Sequence, residues 1–201
     1  MTARSVVAVS AGLSQPSSTR LLSDRLVAAA IDDLQLGGDS VTVRVVELRD
    51  LAHQITDTML TGFAPAELRE ALDAVAGADA LVAVTPVFSA SYSGLFKSFF
   101  DVLEAKALAG TPVLLGATAV TERHSLVLDH ALRPLFAYLG ALVVPTAVFA
   151  ASSDWGTASS DSLGARIERA AGELANLVRA VPRRAPADPF DDFVPFDQLQ
   201  P

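Results

Sequence analysis

A chain of 201 residues, 51% of them apolar, is long enough for one domain with a sizeable core and too apolar to be disordered throughout. Its formal charge of -8 denies it the long-range positive field that would assist nonspecific binding to nucleic acid or an anionic membrane. With no cysteine, disulfides, iron-sulfur ligation and thiol nucleophiles are excluded, so any redox chemistry needs a cofactor.

The first apolar run, residues 4–10, reads as a strand and ends in a polar loop too soon to be a signal peptide. No later run has the length of a membrane span, so a cytoplasmic protein is expected. A helix is predicted over 19–33, where Leu22, Leu26 and Ala29 share a face, followed by a strand over 41–48. Residues 49–64 read as a long irregular connection with at most one helical turn. A helix over 65–75, a strand over 80–85 and a helix over 94–103 come next, the last with Leu95, Phe99 and Val102 on one face. The pattern continues with a strand over 112–117, a helix over 126–139 interrupted at Pro134, a strand over 142–149 and a helix over 160–178. Leu128, Leu132, Leu135 and Leu139 carry one apolar face through the proline.

Five short valine-rich strands alternating with helices specify an α/β three-layer sandwich around a five-stranded parallel sheet, doubly wound in the order 2-1-3-4-5. Residues 1–181 form this domain. Residues 182–201, "PRRAPADPFDDFVPFDQLQP", form a Pro/Asp/Phe-rich tail whose Phe190, Phe193 and Phe196 could dock on this subunit or a neighbour.

In such a sheet, ligands bind beyond the C-terminal edge where the strand order reverses, here between the first and third strands. The loop after the first strand, "SAGLSQPSSTR", replaces a glycine fingerprint with hydroxyls and runs into a helix N-terminus. Free amides, the positive end of the helix dipole and serine hydroxyls suit a terminal phosphate, to which Arg20 adds charge; a solvated turn with an ordinary helix cap explains the same residues more plainly. Neither G-x-G-x-x-G nor the Walker pattern occurs, which argues against a direct nicotinamide-binding Rossmann site or a nucleoside-triphosphatase. The loop after the third strand, "TPVFSASYSGLFKSFFD", offers backbone amides around Pro86 to Ser89 and the surfaces of Phe88 and Tyr92 to a planar ligand, although turn construction and packing account for much of it. In "GATAVTERHS", Arg123 and His124 follow the fourth strand. His53, His124 and His130 lack a compact metal-ligand pattern, no catalytic triad is evident, and Asp154 and Trp155 serve a cavity rim or packing equally well.

Together these loops resemble the NADPH-dependent FMN reductase family of the flavodoxin-like superfamily, and especially two-component flavin reductases that supply monooxygenases. The resemblance runs from about Val6 to Val178, most strongly in "TPVFSASYSGLFKSFFD", with support from "SAGLSQPSSTR" and "RHSLVLDHALRPLFAYLGA". It implies an FMN site with the phosphate at Ser10, Leu13, Ser17, Ser18 and Thr19, the ribityl chain and ring at Pro86, Val87, Phe88 and Ser89, and completing contacts from Gly116 and Thr118. This chain has "GATAVTERH" where many relatives have a paired-glycine turn, and Phe88-Ser89 where many have Tyr-Asn. The implied activity is hydride transfer from NADPH or NADH to flavin N5, with no obligatory protein acid or base. A separate flavin-dependent monooxygenase would receive the reduced FMN, and a homodimer or homotetramer is implied. The alternatives are an FMN-bound quinone or azo reductase and a non-enzymatic flavodoxin-like electron carrier.

Overall fold

The computed structural model describes residues 2–156 and 160–182. The rest of the tail, including Phe190, Phe193 and Phe196, lies outside the described residues. The chain order is β1 (Ala3–Ser10), α1 (Ser18–Leu36), β2 (Ser40–Glu47), α2 (Ala52–Thr61), α3 (Ala66–Ala76), β3 (Ala80–Phe88), β4 (Ser91–Tyr92) and α4 (Gly94–Asp101). After these come β5 (Pro112–Ala119), a 3-10 turn (Glu122–His124), a π turn (Leu128–Leu132), α5 (Arg133–Tyr138), β6 (Leu142–Val143), β7 (Val148–Ala151), a 3-10 turn (Ser152–Trp155) and α6 (Ser160–Ala180).

The parallel sheet runs β2-β1-β3-β5, with β6 beside the start of β5 and β7 beside its end. The expected order 2-1-3-4-5 is therefore present, with the fifth place shared by two short strands. Alternation along the strands divides the core. Val6, Ala8, Val82, Val84 and Leu114 pack against α1 and α6, while Val7, Val9, Leu81, Ala83 and Leu115 pack against α2 to α5. Both faces are covered, which is why these strands read as continuous apolar runs.

Three elements differ from the sequence expectation. Residues 49–64 contain a ten-residue helix, α2, because Leu51 and Ile55 stack one turn apart into the core and Gly62 ends the helix at φ 77. On α4 the buried face is Phe96, Phe99 and Phe100, with Leu95 and Val102 only packed beside it. The predicted single strand over 142–149 is split at Pro145, which has no amide to give the ladder. Side chains satisfy the break: Arg133 donates to the Val144 and Pro145 carbonyls at 3.1 and 2.9 Å, and Glu173 accepts from the Thr146 amide and hydroxyl at 2.6 and 2.8 Å. Ahead of Pro134 the helix widens into the π turn, closed by the Arg133 amide on the Leu128 carbonyl, so the interruption is absorbed without losing the buried Leu132 and Phe136.

Candidate active site

The connection from β1 leads to β2 on one side of the sheet, and that from β3 leads to β5 on the other, so a crevice opens beyond the C-terminal ends of β1 and β3. Ser10 ends β1 opposite Glu47 and Val84, and its side chain is buried with an unbonded hydroxyl. A buried hydroxyl without a partner is costly unless something else bonds it.

Above Ser10 the chain turns through Gly12, where a Cβ would collide with Ser17 Oγ, and through a cis Gln15–Pro16 peptide, into α1. Only a glycine lets the turn lie this close to the helix cap. Ser17 caps α1: its hydroxyl accepts from the Arg20 amide at 3.2 Å and its carbonyl from the Leu21 amide at 3.0 Å. Among the described residues nothing accepts from the amides of Ser18 and Thr19, and the first turn of this 19-residue helix holds no acidic side chain. The positive end of α1 and two free donors therefore face the crevice beside the exposed Ser18 hydroxyl. Leu13 is half exposed on the rim, its carbonyl held by Arg49 at 3.4 Å.

Arg20 does not add its charge to this cradle, contrary to the sequence expectation. Its Nε bonds Asp24 at 2.7 Å and its Nη1 bonds Glu47. The Asp24 bond leads the causes that hold this guanidinium above its ordinary value, against the opposing effect of burial, and Glu47 adds to it. The hydroxyls of Thr19 and Thr118 are buried and bonded to each other at 2.7 Å, so this pair ties the start of α1 to β5 beneath the cradle.

Gly116, the next candidate, belongs to β5. It lies in mid-strand, paired to Val84 and Val148, and a Cβ there would press on Leu26 and Val84 at 3.1 Å. Its smallness serves helix-on-sheet packing, below the edge where a ligand would sit.

The loop after β3 is a hairpin that the sequence reading did not contain. Val87 pairs with Tyr92 and Phe88 with Ser91, leaving Ser89 (φ 49) and Ala90 (φ 68) as a two-residue turn with both residues left-handed. That geometry ordinarily selects Asn-Gly, so "SA" gave no hairpin signal. Two hydroxyls pin the turn: Thr85 Oγ1 accepts from the Ser93 amide at 3.0 Å and donates to the Pro86 carbonyl at 2.9 Å, while Ser93 Oγ accepts from the Phe96 amide at 3.1 Å and caps α4. Tyr92 then packs on Phe96, which contacts Phe100 and Phe136. The hairpin thus stands on a rigid aromatic base and projects Pro86, Val87, Phe88 and Ser89, with Phe88 47% exposed and free to face a ligand.

Of the remaining candidates, Asp154 caps its own turn by accepting from the Ala151 amide at 2.8 Å, and Trp155 packs on the α1–α6 core with Arg25 6.0 Å from its ring. Both are structural. His53, His124 and His130 are exposed on three separate elements. No helix among the described residues is long and apolar enough to cross a membrane.

These features fit FMN. Its phosphate matches the free amides and hydroxyls at α1 with the unbonded Ser10 beneath, and its ring matches the apolar and backbone surface of the hairpin.

Comparison with known proteins agrees. The family model described as NADPH-dependent FMN reductase matches residues 4–156. The chain is 45% identical to an FMN reductase (NADPH) of Pseudomonas aeruginosa over 86% of this chain and 91% of the other. It is 40% identical to the NADH-dependent FMN reductase SfnE of Pseudomonas putida, over 87% and 92%. Its structure resembles an oxidoreductase from Corynebacterium diphtheriae with a TM-score of 0.87 at 46% identity, covering 90% of this chain and 99% of that one.

Proposed function

The chain belongs to the NADPH-dependent FMN reductase family and is an NAD(P)H-dependent FMN reductase, and from that premise we propose which of its residues hold the flavin and where the reduced flavin goes. The observation that carries the assignment is the uncompensated N-terminus of α1, with free amides at Ser18 and Thr19 above the buried, unbonded Ser10 hydroxyl.

Ser17, Ser18 and these amides hold the phosphate, with Leu13 on the rim. Pro86, Val87, Phe88 and Ser89 support the ribityl chain and ring, and Thr19 and Thr118 hold the two halves of the site together from below. When bound, FMN supplies a ring that accepts a hydride from the nicotinamide. The chain would contribute alignment: a pinned hairpin on an aromatic base would support the flavin ring, and ordered donors would stabilise negative charge. No side chain is required to move a proton in the hydride step.

The reduced flavin is a released product, delivered to a separate flavin-dependent monooxygenase. The half-exposed Leu13 and Phe88 and the exposed Val120 support this, since among the described residues the edge of the site is open. Assembly as a homodimer, or a tetramer built from it, is part of the same reading. Leu60, Phe63 and Tyr138 are more than four-fifths exposed, an apolar surface that a subunit contact would remove.

Anaerobic mixing with FMN and NADPH or NADH, following flavin bleaching and nicotinamide oxidation together, tests the reaction. Rates no greater than those of free flavin with nucleotide would overturn it. Ultrafiltration after reduction tests release: reduced FMN in the filtrate is expected, whereas retention with the protein would assign electron delivery to a bound-flavin acceptor such as a quinone. Sedimentation across a concentration series tests the assembly.

A further inference from the structure

The second substrate is an anionic dinucleotide, and on a chain with a charge of -8 a local positive group would assist its binding. The cations of the described residues show where such a group remains. Near the crevice, Arg20 is bound to Asp24 and Glu47, and Arg49 to Asp50 at 3.4 Å. Away from it, Arg4, Arg44, Arg69, Lys97, Arg133, Arg166, Arg169 and Arg179 all have carboxylate partners, and Arg25 lies over Trp155. Arg123 is the one arginine among the described residues with no hydrogen bond, ion pair or ring contact.

Its position is equally specific. Arg123 sits in the exposed 3-10 turn Glu122–His124 that follows β5, on the C-terminal edge of the sheet. β5 ends at Ala119, one residue after the Thr118 that bonds Thr19 beneath the phosphate cradle. Four residues of chain span at most about 14 Å, so the Arg123 backbone stays within that reach of the end of β5. The base of the turn is tied to the 3-10 turn that follows β7 by the Ser152 amide on the Val120 carbonyl at 3.4 Å.

We propose that Arg123 is the residue that receives a phosphoryl group of the nicotinamide nucleotide, and so sets nucleotide affinity separately from flavin affinity. A guanidinium presents a planar fork of donors matched to phosphate, and one with no carboxylate partner has no ion pair to break on taking a phosphate. The assignment rests on the reductase reading above, and it separates two anion sites on one edge: neutral donors at α1 for the flavin phosphate, and a charged side chain on the β5 exit for the nucleotide.

The test uses the full chain with Arg123→Gln and Arg123→Lys. Arg123→Gln is expected to raise the KM for the nucleotide about tenfold, the loss of one charge-assisted contact, with kcat and the FMN dissociation constant unchanged. Arg123→Lys, which keeps the charge but not the fork, should fall between. Calorimetric titration with NADP+ and NAD+ gives a readout apart from turnover and should show the same weakening. Weakening for the NADP form alone assigns the 2′-phosphate; equal weakening for both assigns the pyrophosphate. Unchanged KM and unchanged titrations, in a wild-type protein that reduces FMN, overturn the inference and leave the reductase reading standing. Absence of wild-type FMN reduction overturns that reading and this inference with it.

Discussion

At the N-terminal edge of the sheet Arg4, Asp39, Asp79 and Arg179 pair with one another, whereas at the C-terminal edge the Ser10 hydroxyl and the amides of Ser18 and Thr19 have no partner among the described residues. Arg4 lies 4.0 Å from Asp39 and 3.8 Å from Asp79, and Arg179 lies 3.8 Å from Asp39. Asp79 also accepts from the Ser5 amide and hydroxyl at 2.8 and 3.2 Å. A Cβ on Gly37 would displace the Arg179 guanidinium, so this closure reaches the backbone. Charge pairs with charge at one edge, while the other presents neutral donors, the arrangement on which the proposed site for an anionic ligand in a strongly acidic chain rests.

Five substitutions break or sharpen this contrast. The largest effect is expected for Asp79→Ala, because its side chain is 6% exposed and its removal leaves Arg4 without its nearest carboxylate. Stability should fall by about 3–5 kcal/mol in chemical denaturation, while the folded fraction binds FMN as before. On the opposite edge, Thr118→Val strands the buried Thr19 hydroxyl and should cost about 1–3 kcal/mol. Adding Thr19→Val should recover most of that loss, a coupling read directly from a double-mutant cycle. FMN affinity should stay near wild type in the double variant, since these hydroxyls face each other.

Glu173 provides a third comparison. Burial works against its charged form, but the bonds from the Thr146 amide and hydroxyl, with Arg169 adding to them, prevail and hold the carboxyl below its ordinary value. A group depressed in this way stabilises the fold above its unfolded value, and the contribution disappears as pH falls through the folded one. Glu173→Gln should therefore cost about 1–2 kcal/mol at neutral pH and flatten the acid limb of the stability profile below about pH 4. The smallest effect is expected at Ala90, whose φ of 68 costs an alanine more than a glycine. Ala90→Gly should raise stability by roughly 0.5–1 kcal/mol in thermal melts and weaken flavin binding by loosening the hairpin.

The strands were legible because burial on both faces leaves unbroken apolar runs, and the strand order followed from the alternation of elements. The helix α2 was obscured by the threonines and histidine of "AHQITDTMLT", although Leu51, Ile55 and Gly62 carried its spacing and stop. The hairpin after β3 could not be read because its left-handed turn lacks asparagine and glycine. What pins it, Thr85 and Ser93, is a tertiary arrangement of hydroxyls that look like any others in sequence. At the proposed site, "SAGLSQPSSTR" carries in sequence the hydroxyls and the helix start on which the cradle reading rests. The spacing of Arg20 and Asp24 is legible as a helical pair, but the pairing of Arg20 with Glu47 was not visible, because Glu47 arrives from β2 only in the folded sheet. At Gly116, packing against Leu26 and close approach to a ligand would both demand a glycine, so sequence alone does not separate the two roles.

The most direct test of the phosphate cradle compares FMN with riboflavin, which lacks the phosphate, on wild type and on Ser17→Ala/Ser18→Ala, with folding checked by the thermal transition. The cradle requires FMN to weaken by roughly tenfold or more while riboflavin affinity is retained. Equal weakening of both ligands, or unchanged affinity for FMN, would contradict it.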